Sequence, residues 1–179
     1  MPLITRDDLI IELSSSVSAD DNLLLDNLVG GVWGLWESLT GRTWERAEHT
    51  EYHNIVSSDQ NRLYLRQTPV VSVVSIHNDP DWVYGDGSLL DPASYAVSPA
   101  SGIVYFNGWF IPGDRAVKVV YTAGYETAAF PAGIKQVLIR QAAHWFKQAK
   151  NFQDFEKMET LLPEVRLIVE QYRRRHVSD

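Results

Sequence analysis

The sequence predicts an α+β fold: a helical bundle built from N- and C-terminal helices, with an antiparallel β section inserted between them. Two observations carry this expectation. Apolar residues recur at steps of three and four before Gly41 and again after Phe130, the period of helices that bury one face. From about Glu48 to Tyr125 the period drops to two, and turn-forming clusters interrupt the chain at short intervals, as closely spaced antiparallel strands require. The expected divisions are 1–47 for the N-terminal helices, 48–125 for the β insertion and 126–179 for the C-terminal helices and their basic tail.

Each helix has a start signal. Thr5-Arg6-Asp7-Asp8 and Ser18-Ala19-Asp20-Asp21 both place a hydroxyl at the cap and an acid three residues on, a variant of the capping box. The first helix is short, with Leu9, Ile10 and Leu13 as its apolar side, and it ends in Ser14-Ser15-Ser16. The second is expected from about Asp20 to Thr40, with Leu24, Leu28, Val32, Leu35 and Leu39 as one stripe and Gly41 as a left-handed C-terminal cap. Gly30, Gly31 and Gly34 lie inside it, each costing up to about 1 kcal/mol relative to alanine. Close approach of another helix or a local kink would account for them.

The strand-like runs are Arg62–Arg66, Val70–His77, Tyr95–Val97, Ile103–Phe106 and Ala116–Thr122, and Thr50, Tyr52, Ile55 and Val56 favour a strand around His49 and His53. Asn78-Asp79-Pro80, Gly85-Asp86-Gly87, Ser98-Pro99-Ala100-Ser101-Gly102 and Pro112-Gly113-Asp114 supply the turns. Pro131 suits a first helical turn, and Ile134, Val137, Leu138, Gln141 and Trp145 continue the helix to about Lys150. Residues 151–162 read as a loop with a short helical piece. Pro163 opens a last helix with Val165, Ile168, Val169 and Tyr172 on its apolar side, ending at Arg173-Arg174-Arg175.

A chain of 179 residues is long enough to bury a core without metal or disulfide support. Hydrophobic residues at 45% and charged residues at 22% are ordinary globular usage. The absence of cysteine excludes disulfides, thiolate zinc sites and cysteine nucleophiles, and it suits a reducing compartment. The N-terminus shows no basic start followed by an apolar stretch, so no signal peptide is expected. No apolar run approaches the roughly 20 residues of a membrane helix, so no membrane span is expected.

The net charge of −7 is uneven: residues 1–45 carry 2 basic and 8 acidic side chains, 46–134 carry 5 and 9, and 135–179 carry 9 and 6. An acidic body argues against general DNA binding, which needs phosphate neutralisation. The basic C-terminal section favours an acidic partner or, equally, serves as a solvated helix end where the macrodipole welcomes cations.

The sequence offers no catalytic motif: no Walker or Rossmann glycine pattern and no Gly-x-Ser-x-Gly elbow. Gly85-Asp86-Gly87 beside Asp79 and Asp81 reads as a turn, because no bidentate glutamate closes a calcium loop. His49 and His53 have a zinc spacing only on a helix; on the expected strand their backbone positions would lie about 13 Å apart. His144 reads as a helix-packing residue. No enzyme activity, cofactor or metal is therefore expected.

The tryptophans say more. Trp33, Trp36 and Trp145 belong on helices and default to core packing, whereas Trp82 and Trp109 fall in loops. Loop aromatics serve protein interfaces or stack on sugars, or they cover sheet ends. Cover is the preferred reading for Trp109; for Trp82 both readings stay open.

Several segments in order resemble the head–tail connector or portal-adaptor family of long-tailed phages, which includes relatives in prophages and gene transfer agents. They are Leu3-Ile4-Thr5 before an acidic helix, Leu39-Thr40-Gly41-Arg42-Thr43-Trp44 closing a longer one, and Leu63-Tyr64-Leu65-Arg66-Gln67-Thr68-Pro69-Val70-Val71-Ser72-Val73. Next come Val119-Val120-Tyr121-Thr122-Ala123-Gly124-Tyr125 with Phe130-Pro131-Ala132-Gly133-Ile134-Lys135-Gln136, and Leu162-Pro163-Glu164-Val165-Arg166 running to Tyr172-Arg173-Arg174. The resemblance spans nearly the whole chain and departs from the family at residues 78–90 and 151–161.

The resemblance implies a structural, non-enzymatic head-completion adaptor of the virion, made in the bacterial host cytoplasm. It would form a ring, dodecameric when assembled, that docks under the portal protein and continues the DNA channel. DNA would pass through without specific binding, and a tail-side stopper or completion protein would be received below. The C-terminal section would be portal-facing, which makes Tyr172, Arg173, Arg174 and Arg175 the expected portal contacts. Trp82 and Trp109, with Gly30 and Gly34, are the expected subunit or tail contacts. The alternative reading is a carbohydrate- or host-surface-binding module of a phage particle, resting on the loop tryptophans.

Overall fold

The protein's structure, a computed structural model, describes residues 2–14, 17–150 and 161–173. The fold is α+β, with four α-helices and two three-stranded antiparallel sheets among the described residues. It divides into two compact units, Met1–Arg42 with Glu126–Asp179, and Thr43–Tyr125.

The first unit holds the helices: α1 (Arg6–Leu13), α2 (Asn22–Thr40), α3 (Ala132–Lys150) and α4 (Pro163–Tyr172). The predicted start signals are in place. The Thr5 hydroxyl accepts the Asp8 amide at 3.2 Å while the Asp8 carboxylate accepts the Thr5 amide at 2.9 Å. The Asp21 carboxylate takes the amide and hydroxyl of Ser18 in the same way, at the head of a one-turn 3₁₀ helix that leads into α2. Gly41 ends α2 with φ of 64°, the left-handed conformation that a side chain would disfavour.

Core packing corrects the expected stripe of α2. Its buried face is Leu25, Leu28, Val29, Val32, Trp33 and Trp36, and Leu24, Leu35 and Leu39 are only half-buried. Two indole rings present more apolar surface than the leucines and draw the helix face toward themselves. Trp33 meets Phe130 edge-on with ring centres 5.6 Å apart.

Ion pairs add to this unit: Lys135 Nζ to Asp8 at 2.9 Å, Lys150 Nζ to Asp21 at 2.5 Å and Arg6 to Asp26 at 2.9 Å. Two of the nine basic side chains of the 135–179 section, Lys135 and Lys150, are thus paired with acids of the N-terminal segment. The buried Gln141 accepts the Leu162 amide at 2.8 Å, which fixes the start of α4 on α3.

The second unit is β1 (Ala47–Ile55), β2 (Arg62–Tyr64), β3 (Val70–Asn78), β4 (Tyr95–Ser98), β5 (Ile103–Phe106) and β6 (Gly113–Ala123). The sheets run β1-β6-β3 and β2-β5-β4. Side chains from both meet in one core of Ile55, Leu63, Ile76, Val104, Phe110, Val119 and Tyr121, among others. Breaks of register in β3 between Val70 and Ser72 and between Val73 and Ser75 twist this edge strand.

The chain enters and leaves the β unit side by side. The Tyr125 amide donates to Trp44 O at 2.8 Å, the Arg46 amide donates to Tyr125 O at 2.9 Å, and the rings of Trp44 and Tyr125 stack at 6.0 Å. Gly124 allows this approach: a Cβ there would lie 2.6 Å from the Glu45 carbonyl oxygen, and φ is 103°.

Candidate interaction surfaces

At the C-terminal end, the structure separates the expected contact residues by role. Tyr172 is half-buried, its ring edge-on to Trp36 at 6.3 Å, so it anchors α4 to α2. Arg173 is exposed, with a carboxylate oxygen of Glu170 at 3.7 Å. Arg174 and Arg175 lie outside the described residues.

Beside Arg173 is a cleft of about 330 Å³ lined by Leu39, Leu161, Arg166, Val169, Glu170 and Arg173. Its apolar floor and two guanidinium groups suit an acidic partner side chain. The sequence reading missed Arg166 and Leu39, since only the packing of α4 on the end of α2 brings them together.

On α2, Leu23, Asn27, Gly30, Gly31, Gly34 and Ser38 form one exposed stripe at helical spacing. A Cβ added at Gly30, Gly31 or Gly34 would meet nothing within 4 Å, and α2 runs unbroken through all three. Among the described residues, neither a covering helix nor a break in α2 therefore explains them. Their backbone is open to a surface from outside.

In the β unit, Trp109 is 61% exposed and does not cover the sheet end; the neighbouring Phe110, 1% exposed and stacked on Phe106 at 5.0 Å, does that. The preferred reading of Trp109 is corrected accordingly. One ring satisfies the core, and the chain alternates Trp109 and Ile111 outward around it.

Trp82 is 59% exposed although its indole Nε1 donates to Asp114 O at 2.6 Å. Its loop is built rather than loose. Asp79 accepts the amides of Asp81 at 2.9 Å and Tyr84 at 2.8 Å, and the Tyr84 hydroxyl donates to Arg115 O at 2.6 Å. Trp82 and Tyr84 sit at φ of 64° and 51°, a region that costs a non-glycine residue roughly 1–2 kcal/mol. The surrounding bonds hold them there.

A buried polar cluster lies inside the β unit. The carboxylate of Glu51 accepts the Arg66 amide at 3.0 Å to each oxygen and the hydroxyl of Tyr121, and it lies 3.4 Å from His53 Nε2. The Tyr121 hydroxyl in turn accepts the Gln67 amide at 3.0 Å. Burial pushes the Glu51 pKa up, but the bonds from His53, Tyr121 and the Arg66 amide outweigh it and hold the group below the usual glutamate value. These bonds tie the β2–β3 connection to β1 and β6, a structural task.

His49 and His53 lie on β1 as strand residues. Among the described residues no group of three or more His, Cys, Asp or Glu is placed to hold a metal ion. Among the same residues, no helix is long and apolar enough to cross a membrane.

No family model matches the sequence, and no curated protein matches it either. Solved structures do. A chain from the neck of an empty gene transfer agent particle, computed with C6 symmetry, matches over 98% of this chain and 91% of its own, with TM-score 0.67 and 16% identity. The fold is that of a gene transfer agent neck chain. A chain from the virion of a native gene transfer agent particle matches over 96% and 88%, with TM-score 0.64 and 19% identity. A third, from the neck of a native particle computed with C12 symmetry, matches over 97% and 93%, with TM-score 0.61 and 17% identity.

Proposed function

We propose that the chain is a head-completion adaptor of a tailed-phage-like particle. In this reading it forms a ring that docks beneath the portal protein, continues the DNA channel, and receives a tail-side stopper or completion protein. The observation that carries the reading is the shared fold over 96% or more of the chain with chains of gene transfer agent necks and virions. Fold alone is an associational warrant for function, so the surfaces have to agree with it.

Three observations accord with it. The exposed glycine stripe of α2 gives a neighbouring subunit room for close backbone approach, and a repeated heterologous contact closes a ring when its rotation permits. The neck structures computed with C6 and C12 symmetry favour such a ring, twelvefold to match a portal. A net charge of −7 suits a channel wall along which DNA slides without being held.

The portal side is assigned to Arg173, Arg174 and Arg175 and to the cleft that Arg173 lines, with Tyr172 positioning α4. The tail or neighbour side is assigned to Trp82 and Trp109. The role is structural and non-enzymatic, in the virion, after synthesis in the bacterial host cytoplasm. Exposed Trp82 and Trp109 favour one second reading, stacking on a carbohydrate of the host surface. Mixing the protein with purified DNA-filled, tailless heads separates the two: an adaptor sediments with the heads and slows loss of their DNA, and a glycan binder stays in the supernatant.

A further inference from the structure

One end of the β unit is an apolar platform bordered by carboxylates, and we propose that it binds a cationic, apolar segment of a partner protein. This deepens the neck reading by naming the chemistry of one partner, and its assay is independent of docking to heads.

The platform is continuous through the backbone. Ile55, next to the exposed Val56, pairs with Gly113, and a Cβ on Gly113 would lie 3.1 Å from Pro80. Asn78, just before Pro80, exchanges hydrogen bonds with Ile111 at 2.6 and 3.2 Å. Trp82 reaches Asp114 on the other side of Gly113. Val56, Trp82, Val83, Trp109 and Ile111 therefore crowd one end, each more than half exposed. Together they present on the order of 500 Å² of apolar-residue surface, near the most that a soluble monomer leaves bare. That is more than half of the roughly 800 Å² that one partner contributes to a standard interface.

The platform is also held in place before binding. The Asp79 carboxylate, the indole bond of Trp82 and the hydroxyl bond of Tyr84 fix the loop in its left-handed turns. An aromatic surface already ordered loses little freedom when a partner arrives.

The border chooses the partner's charge. Asp59, Asp81 and Asp114 are exposed at this end and Asp79 is half-buried. The nearby cations are turned onto aromatic rings, Arg115 over Tyr52 at 4.2 Å and Lys118 over Tyr84 at 5.5 Å. An acidic rim around tryptophans rejects an anionic segment and steers a cationic one.

The test uses the full chain and two synthetic peptides, one alternating Leu with Lys and one alternating Leu with Glu, read by tryptophan fluorescence and calorimetry. The Leu–Lys peptide is expected to bind and to weaken ~10-fold between ~50 and ~300 mM salt. Trp109→Ala with Trp82→Phe should weaken it ~10-fold or more. Asp81→Lys with Asp114→Lys should weaken it similarly and admit the Leu–Glu peptide.

The side chains of Asp81, Asp114 and Trp109 hold no part of the loop, so their variants carry the test even if Trp82→Phe does not fold. Equal binding of both peptides, no binding, or binding untouched by the tryptophan variants overturns the proposal. So does capture of a neutral oligosaccharide through the same tryptophans, or self-association abolished by Trp109→Ala, which would give the platform to a sugar or a second copy. A variant that loses the peptide yet still sediments with heads refutes only this inference if particles joined with it carry normal tails. A wild type that binds the peptide and ignores heads refutes only the neck reading.

Discussion

Replacing Gly30 and Gly34 together by alanine should raise the stability of the isolated chain and impair its assembly. Both positions are exposed and helical, with nothing within 4 Å of an added Cβ, so no clash opposes the gain. Each exposed mid-helix Gly→Ala change is worth about 0.5–1 kcal/mol, chiefly through lost freedom of the unfolded chain, giving about 1–2 kcal/mol for the pair. For a chain of this size that raises Tm by about 2–8 °C. In a ring, each new methyl group intrudes on a close backbone contact, and overpacking of this kind costs about 1–3 kcal/mol per site. Thermal unfolding followed by circular dichroism measures the first effect, and co-sedimentation with tailless heads the second. Gly133→Ala on α3, equally open, is the control that leaves the stripe alone. A fall in Tm for the double variant would refute the open-surface reasoning, and a raised Tm with undiminished docking would refute the assignment of the stripe to a subunit contact.

Glu51→Ala should cost about 2–4 kcal/mol in urea unfolding, because it strands the partly buried amide of Arg66 and the buried hydroxyl of Tyr121. The Glu51 pKa lies below its unfolded value, so its contribution is complete above the ordinary glutamate range and lost as pH falls through the depressed folded value; Glu51→Gln should flatten that acid loss. Arg173→Glu should leave urea unfolding within about 0.5 kcal/mol of wild type, as an exposed charge does, yet weaken sedimentation with heads. Tyr172→Ala should instead destabilise the helical unit by about 1–3 kcal/mol through its lost contact with Trp36. Gly124→Ala should destabilise by more than about 1 kcal/mol, since its Cβ collides with the Glu45 carbonyl at a positive φ; a neutral result would contradict the account of how the β unit is closed.

Local chemistry was legible in the sequence wherever one residue decides the outcome. Thr5, Ser18, Gly41 and Pro163 marked helix ends by the bonds or angles they alone supply; alternation located β2 to β6, and the β-forming residues around His49 and His53 marked β1. The buried face of α2 was misplaced because periodicity counts leucines, whereas burial weighs area, and Trp33 and Trp36 shift the balance. Trp109 was misread for a related reason: either of two adjacent rings could fill the sheet end, and only the packing against Phe106 selects Phe110. The cleft at Arg166 and Arg173 and the acidic rim of the platform join residues far apart in sequence or in separate loops, so no spacing rule could reveal them. The glycines of α2 were conspicuous in the sequence, but the absence of any close neighbour among the described residues is a tertiary fact.

The most direct test of the adaptor claim is electron microscopy of DNA-filled, tailless heads after incubation with this protein. The account predicts a ring of added density beneath the portal, twelvefold and open along its axis, with the C-terminal arginines against the portal. Heads that remain bare at saturating protein, with density neither at the portal vertex nor retained on pelleting, would contradict it.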